Sequence, residues 1–417
     1  MSIKESYKEI ILILGNGFDL AHNLPTSYVH FLRFVIALKD YLDSGYTDVS
    51  RFRELEVDER IVKLVIADFI DAKGNKNNSQ EIVELRGKIK RVTHYNYWLS
   101  HFFNCKTLKE GWIDFEDEIS VVIKKIDSVV RNYEYNQVIN NKTFLDRNLS
   151  DLVNYISGRG KTLSTKTIVG LLKEDLDGVR FMLGLYLSRY VMKLPVNTCI
   201  NEICKLAPVK ILNFNYTNTF EKTYGQDLED VEYSYIHGEA KTYMTEDNNM
   251  VLGIDEYLDD ENKNHNIMFV DFKKYYQRIA YMCSRKHDIW AREIIVEDEA
   301  QKQAKDITLK DGIQLECIDR YKILDYTILT DIYKRRQMDM ESQGIRYEIV
   351  VFGHSLGESD RDVFRNLMLH DNVHTLIYYH NKKAYVDIIK NLIKVIGQDE
   401  LIERTGTGNI EFKCIVN

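Results

Sequence analysis

The chain has 417 residues, 44% hydrophobic and 29% charged, with a net charge of −8 at neutral pH. Such a composition belongs to a globular protein of one large domain or two to three ordinary ones, and its acidity argues against a broad nucleic-acid-binding surface. No run of about 18 apolar residues offers a membrane span. No signal-peptide pattern is visible, and the six cysteines form no C-x-x-C pair, so reduced thiols in a cytoplasm are expected.

The chain is organised around residues 10–31. Ile10 to Leu14 is an unbroken apolar run that leads into Gly15-Asn16-Gly17. The run reads as a strand buried on both faces, as in a parallel sheet. Gly15 and Gly17 permit a tight turn and a close backbone approach, and Asn16 between them tolerates left-handed geometry. Leu24-Pro25-Thr26-Ser27 follows, with hydroxyls able to cap a helix opening at Tyr28. A strand, a glycine turn and a helix start suit an anionic or nucleotide ligand, although Leu20 occupies the third glycine position of the dinucleotide fingerprint.

Helical spacing continues to Leu42, then over about 51–72, 80–104, 114–133, 143–157 and 165–192, with no convincing strand before Pro195. Residues 44–194 therefore read as a helical insertion into a nucleotide-binding domain made of 1–43 and 195–417. Within the insertion, Trp112 to Glu118 opens a helix with acids in its first turn. Asp114 and Glu116 either complement the helix dipole or face a ligand.

From Pro208 strands alternate with helices. Strands are expected at 209–214, 231–236, 250–254, 347–352, 375–379 and 410–415. Helices are expected at 265–285, 325–342, 360–368 and 382–397, with 288–322 charged and hard to read. Seven strands with helical connections make an open, mostly parallel, Rossmann-like α/β sheet. Asn16, Asn215, His237 and Ser355 all fall at carboxyl ends of strands, the edge at which open parallel sheets bind ligands.

Each candidate has a plain alternative. Asn215 either caps the next helix or positions a ligand, and His237 is either a core histidine or a working imidazole. An amide and an imidazole at adjacent strand ends can orient a water and a ribose hydroxyl for N-glycosidic cleavage. Gly353-His354-Ser355-Leu356-Gly357 matches the G-x-S-x-G elbow of serine hydrolases. The same turn could instead cradle ribose or phosphate, with Asp360 capping the following helix. No H-E-x-x-H occurs, and no metal site is expected.

Asn16 to His22, Leu24 to Tyr28, Asn213 to Thr217, Ile236-His237-Gly238 and Gly353-His354-Ser355 with Asp360 together resemble AbiH-type bacteriophage abortive-infection proteins. The motif order is more distantly similar to sirtuin-like NAD-consuming defence proteins, with Asn16 and Thr217 departing from that pattern. The resemblance implies an antiphage protein that binds and hydrolyses NAD or a related nucleotide. Asn215 and His237 would then be catalytic. Gly15, Asn16, Gly17, Phe18, Asp19, Thr26, Tyr216, Gly353, His354, Ser355 and Asp360 would hold the ligand. A nucleotide sensor without turnover and a serine hydrolase are the other readings. A phage-derived protein trigger and a homo-oligomer are the partners to expect, with the insertion as lid, sensor or interface.

Overall fold

A computed structural model of the chain describes residues 8–71, 73–105, 113–135, 149–162, 164–241, 248–258, 261–311 and 344–415. Six strands form one parallel sheet: β1 (Glu9–Leu14), β2 (Lys210–Asn213), β3 (Glu232–Tyr235), β4 (Tyr347–Phe352), β5 (Val373–Tyr379) and β6 (Ile410–Cys414). Their order is β3-β2-β1-β4-β5-β6, a Rossmann-like arrangement, and every pairing is parallel. The expected α/β class holds, and the sheet is parallel throughout.

β1 is central because both of its faces are apolar. Ile11 and Ile13 point to one side, where they pack with Trp290, Phe364 and Leu392 from helices. Leu12 and Leu14 point to the other, against Phe18, Ile203 and Phe220. The chain order reverses between β1 and β4, so a crevice is expected outside their carboxyl ends.

A third core is helical. It joins Phe31, Phe34 and Tyr41 of the helix Tyr28–Asp43 to Trp98, Phe115 and Phe181 of later helices. Met250, Leu252, Phe269 and Phe272, which lie beyond β3, complete it. Ser27 caps the helix Tyr28–Asp43 as expected, accepting from His30 N at 3.3 Å. The helix Thr165–Gly184 runs on as a π-helical turn, Leu185–Tyr190. No helix among the described residues is long and apolar enough to cross a membrane.

Three expectations need correction. Residues 250–254 are not a strand. Leu252 gives its N–H to Gln277 Oε1 (2.9 Å) and takes Gln277 Nε2 on its carbonyl (3.1 Å), so a side chain replaces the neighbouring strand, and Ile254 makes an isolated bridge to Lys273. The helix expected at 265–285 is confined to Lys274–Ala280. Much of the stretch that is hard to read is a long helix, Lys286–Asp311. The helix expected at 325–342 lies outside the described residues.

Candidate functional site

The β1 and β4 loops are interlocked. Gly15 N donates to Phe352 O (3.0 Å) and Gly17 N to Gly353 O (2.8 Å). A Cβ on Gly15 would meet Gly353 O at 2.6 Å, and one on Gly17 would meet Gly353 Cα at 2.8 Å. Gly353 has φ +69°, and a Cβ there would meet Phe18 N at 2.2 Å. All three positions need glycine for this contact. Gly15, Gly17 and Phe18 thus form the floor beneath a pocket, with Asn16 and Gly353 on its surface.

That pocket has a volume of about 290 Å³ and is lined by Asn16, Asp19, Thr26, Tyr216, Thr217, Asn215, His237, Gly353, His354, Ser355 and Asp360. All four strand ends, at Asn16, Asn215, His237 and Ser355, contribute to it. Asn215 donates from Nδ2 to Gly15 O (3.0 Å) and does not cap the next helix. Tyr216 is tied by its hydroxyl to Val251 O (2.6 Å), and Thr26 donates to Asn16 Oδ1 (2.6 Å). Thr217 donates to the buried carboxylate of Asp19 at 2.5 Å, and Thr219 supports Thr217 at 3.2 Å. Burial pushes the Asp19 carboxyl up to about 6, with both threonines pulling the other way.

His237 follows β3 and is buried against Phe214. Its Nε2 lies 3.7 Å from Asp360 Oδ1, and its Nδ1 lies 3.4 Å from an Arg278 nitrogen. Burial takes the imidazole down to about 4 although Asp360 favours its charge, and Lys274 and Arg278 add to the lowering. His237 is therefore neutral near pH 7. His354, packed between Phe214 and Phe364, is also lowered to about 4 by burial, and its Nδ1 accepts from Leu356 N (2.9 Å).

Asp360 stands at the N-cap position of the helix Arg361–Met368, as expected, but its side chain makes no capping hydrogen bond. Its carboxylate turns inward instead, 2.9 Å from Arg278 and 3.9 Å from Lys274 Nζ. Burial opposes its charge, yet Lys274, His237 and Arg278 together hold it well below the usual carboxylate range.

The wall opposite the sheet is helical. Tyr28, Asp114, Glu116, Leu183 and Leu187 line it, so Asp114 and Glu116 both face the pocket. Glu116 also meets the buried Lys274 at 2.6 Å. Burial pushes the Glu116 carboxyl up to about 7, against the pull of Lys274. The site thus holds a neutral imidazole beside an ionised carboxylate, and two further carboxyls that give up protons only reluctantly. Such a set can move a proton and accept hydrogen bonds from sugar hydroxyls.

The profile of the family described as "Bacteriophage abortive infection AbiH" matches residues 11–379. The chain belongs to the bacteriophage abortive infection AbiH family. No curated protein and no solved structure matches it.

The segment Asn16 to His22 divides between pocket and scaffold. Asn16 and Asp19 line the pocket. His22 instead bridges Phe18 O and the Tyr224 hydroxyl, both at 2.7 Å. Sequence reasoning missed Lys274 and Arg278, which sit four residues apart on one short helix. A helix face bearing two cations and no acid was the available signal. Ser355 is exposed, and no imidazole among the described residues is hydrogen-bonded to its hydroxyl. The neighbouring His354 spends Nδ1 on the backbone. That geometry lacks the nucleophile–base pair a serine hydrolase needs.

Proposed function

We propose that this antiphage protein binds a nucleotide, NAD foremost, between the β1–β4 floor and the helical wall, and hydrolyses its N-glycosidic bond. The observation that carries the reading is the neutral His237 imidazole against Asp360, in one pocket with Asn215 at the topological switch point. In the reaction the C1′–N bond breaks, its electron pair leaves with the nicotinamide nitrogen, and an oxocarbenium-like ribose forms. Water adds at C1′ and gives up a proton. His237 accepts a proton from that water or from a ribose hydroxyl, and Asp360 stabilises the imidazolium formed. Asn215 positions the ribose or the water. The buried Asp19 carboxyl and the Asp114–Glu116 pair supply acceptors for sugar hydroxyls.

Chromatography of NAD incubated with purified protein tests the reading. The expected result is release of nicotinamide by the wild type and none by Asn215→Ala or His237→Ala. Turnover that survives both substitutions removes the mechanism.

One feature favours binding without turnover as a second reading. Arg278 stands against Nδ1 of His237, so a ligand reaches that nitrogen only if the guanidinium moves. Calorimetric binding of NAD with no product after hours would select it.

A further inference from the structure

Away from the nucleotide pocket, three unlike side chains converge where two helices of the helical layer meet. His101 lies in the helix Tyr97–Asn104, Cys105 follows that helix directly, and Glu118 lies in the first turn of the helix Phe115–Tyr135. Their donor atoms all lie within 4.8 Å of one another, with His101 Nε2 3.1 Å from Glu118 Oε2. Cys105 leaves the helix in an extended conformation one residue past its end, and its sulfur still lies within reach of the His101 ring. The thiol is buried and donates to the backbone carbonyl of His101 at 3.3 Å, so it turns back over the last helical turn. The imidazole ring lies nearly parallel to Tyr97, at 10° and 6.2 Å between centroids. The His101 and Glu118 side chains are 28% and 22% exposed, which leaves an entry path from solvent.

We propose that His101, Cys105 and Glu118 form a zinc site that clips the end of one helix to the start of the other. A histidine–glutamate ion pair needs no sulfur within reach, and a buried structural cysteine needs no carboxylate beside it. Sulfur, nitrogen and oxygen donors together suit zinc, whereas magnesium and calcium prefer oxygen alone. Three protein donors leave the fourth tetrahedral position to water. On binding, the Cys105 S–H bond breaks, its proton leaves to solvent, and the thiolate electron pair goes to the metal. No change of oxidation state is involved. Because Glu116 shares the first helical turn with Glu118, the clip would also set the angle at which Asp114 and Glu116 face the nucleotide pocket.

The test uses untagged full-length protein, dialysed against zinc and then against metal-free buffer, with metal content measured by mass spectrometry. The expected result is one zinc per chain in the wild type and a several-fold loss in His101→Ala, Cys105→Ser and Glu118→Gln. Cys199→Ser, at an exposed thiol, should keep the full content. Cobalt in place of zinc should give a thiolate-to-metal absorption band that Cys105→Ser abolishes. Circular dichroism of metal-free samples checks that the variants fold, and Glu118→Gln, the mildest change, decides the matter if the others do not. Background zinc in the wild type, equal zinc in wild type and Glu118→Gln, or a cobalt adduct without the thiolate band overturns the proposal.

Discussion

Lys274 and Glu116 meet with their charged ends 2.6 Å apart, joining the helical layer to the part of the pocket that carries His237 and Asp360. The lysine is almost fully buried, with Asp255 and Asp360 each 3.9 Å away. It is the buried cation between Glu116, Asp255 and Asp360, and it shares Asp360 with Arg278. Replacing it removes the charge that makes burial of these carboxylates tolerable. Lys274→Met should therefore cost about 3–5 kcal/mol in urea unfolding. The double variant with Glu116→Gln should recover part of that loss, because one fewer carboxyl is left uncompensated. A double variant as unstable as the sum of the two singles would show that the pair is not coupled.

The interlocked glycines make a separate prediction. Gly353→Ala must place a methyl group 2.2 Å from Phe18 N while keeping a left-handed backbone, so the two loops have to part. Gly408 has a similar φ of +78° but open space around it. Gly408→Ala should cost only the backbone term, about 1–2 kcal/mol. Gly353→Ala should cost clearly more and should weaken nucleotide binding as well. Equal losses in thermal melts would deny the interlock.

Acid–base linkage gives opposing slopes. Asp19 is raised to about 6 in the folded chain, so its protonated form favours folding. That contribution is present below about pH 4 and is lost as pH rises through 6. His237 is lowered to about 4, so its contribution is present above about pH 6.5 and is lost as pH falls toward 4. Between pH 4 and 7 the two partly cancel. Asp19→Asn should gain stability relative to wild type as pH rises across that window, by an amount on the order of 2 kcal/mol. His237→Gln should gain relative to wild type as pH falls. Denaturant melts at several pH values read both, and parallel curves for the three proteins would refute the linkage.

Asp360 bears on the chemistry. If it stabilises an imidazolium on His237, Asp360→Asn should lower kcat for nicotinamide release by about 10²-fold or more, with a smaller change in KM. A change in KM alone would make Asp360 a binding group.

For Ser355, a fluorophosphonate probe should leave the wild type unlabelled, since no imidazole is bonded to its hydroxyl. Labelling that Ser355→Ala abolishes would restore the hydrolase reading.

The parts of this arrangement that could be read in the sequence were those with local signals. An unbroken apolar run before Gly15 announced a strand buried on both faces, and polar residues after four such runs announced a shared edge. The rest depended on partners far away in the chain. Residues 250–254 look like a strand, but Gln277 satisfies Leu252 in place of a neighbouring strand. The helix Lys286–Asp311 turns Trp290 and Ile294 inward together with His287, Asp298 and Gln301, and these polar residues on its buried face blur the apolar period. Thr217 carries no local sign of its partner, yet Asp19, 198 residues away in the chain, brings a carboxylate to its hydroxyl. Lys274 lies within a run of aromatic and basic residues that gives no local sign of its partner Glu116, 158 residues earlier.

The helical core draws on both sides of the sheet-forming segments. Phe269 and Phe272 enter it from beyond β3, just ahead of Lys274 and Arg278. Any displacement of those helices would therefore pull on the backbone leading to the guanidinium beside His237. Movement of the helical layer would in this way reach the imidazole through one arginine, with the glycine floor left in place.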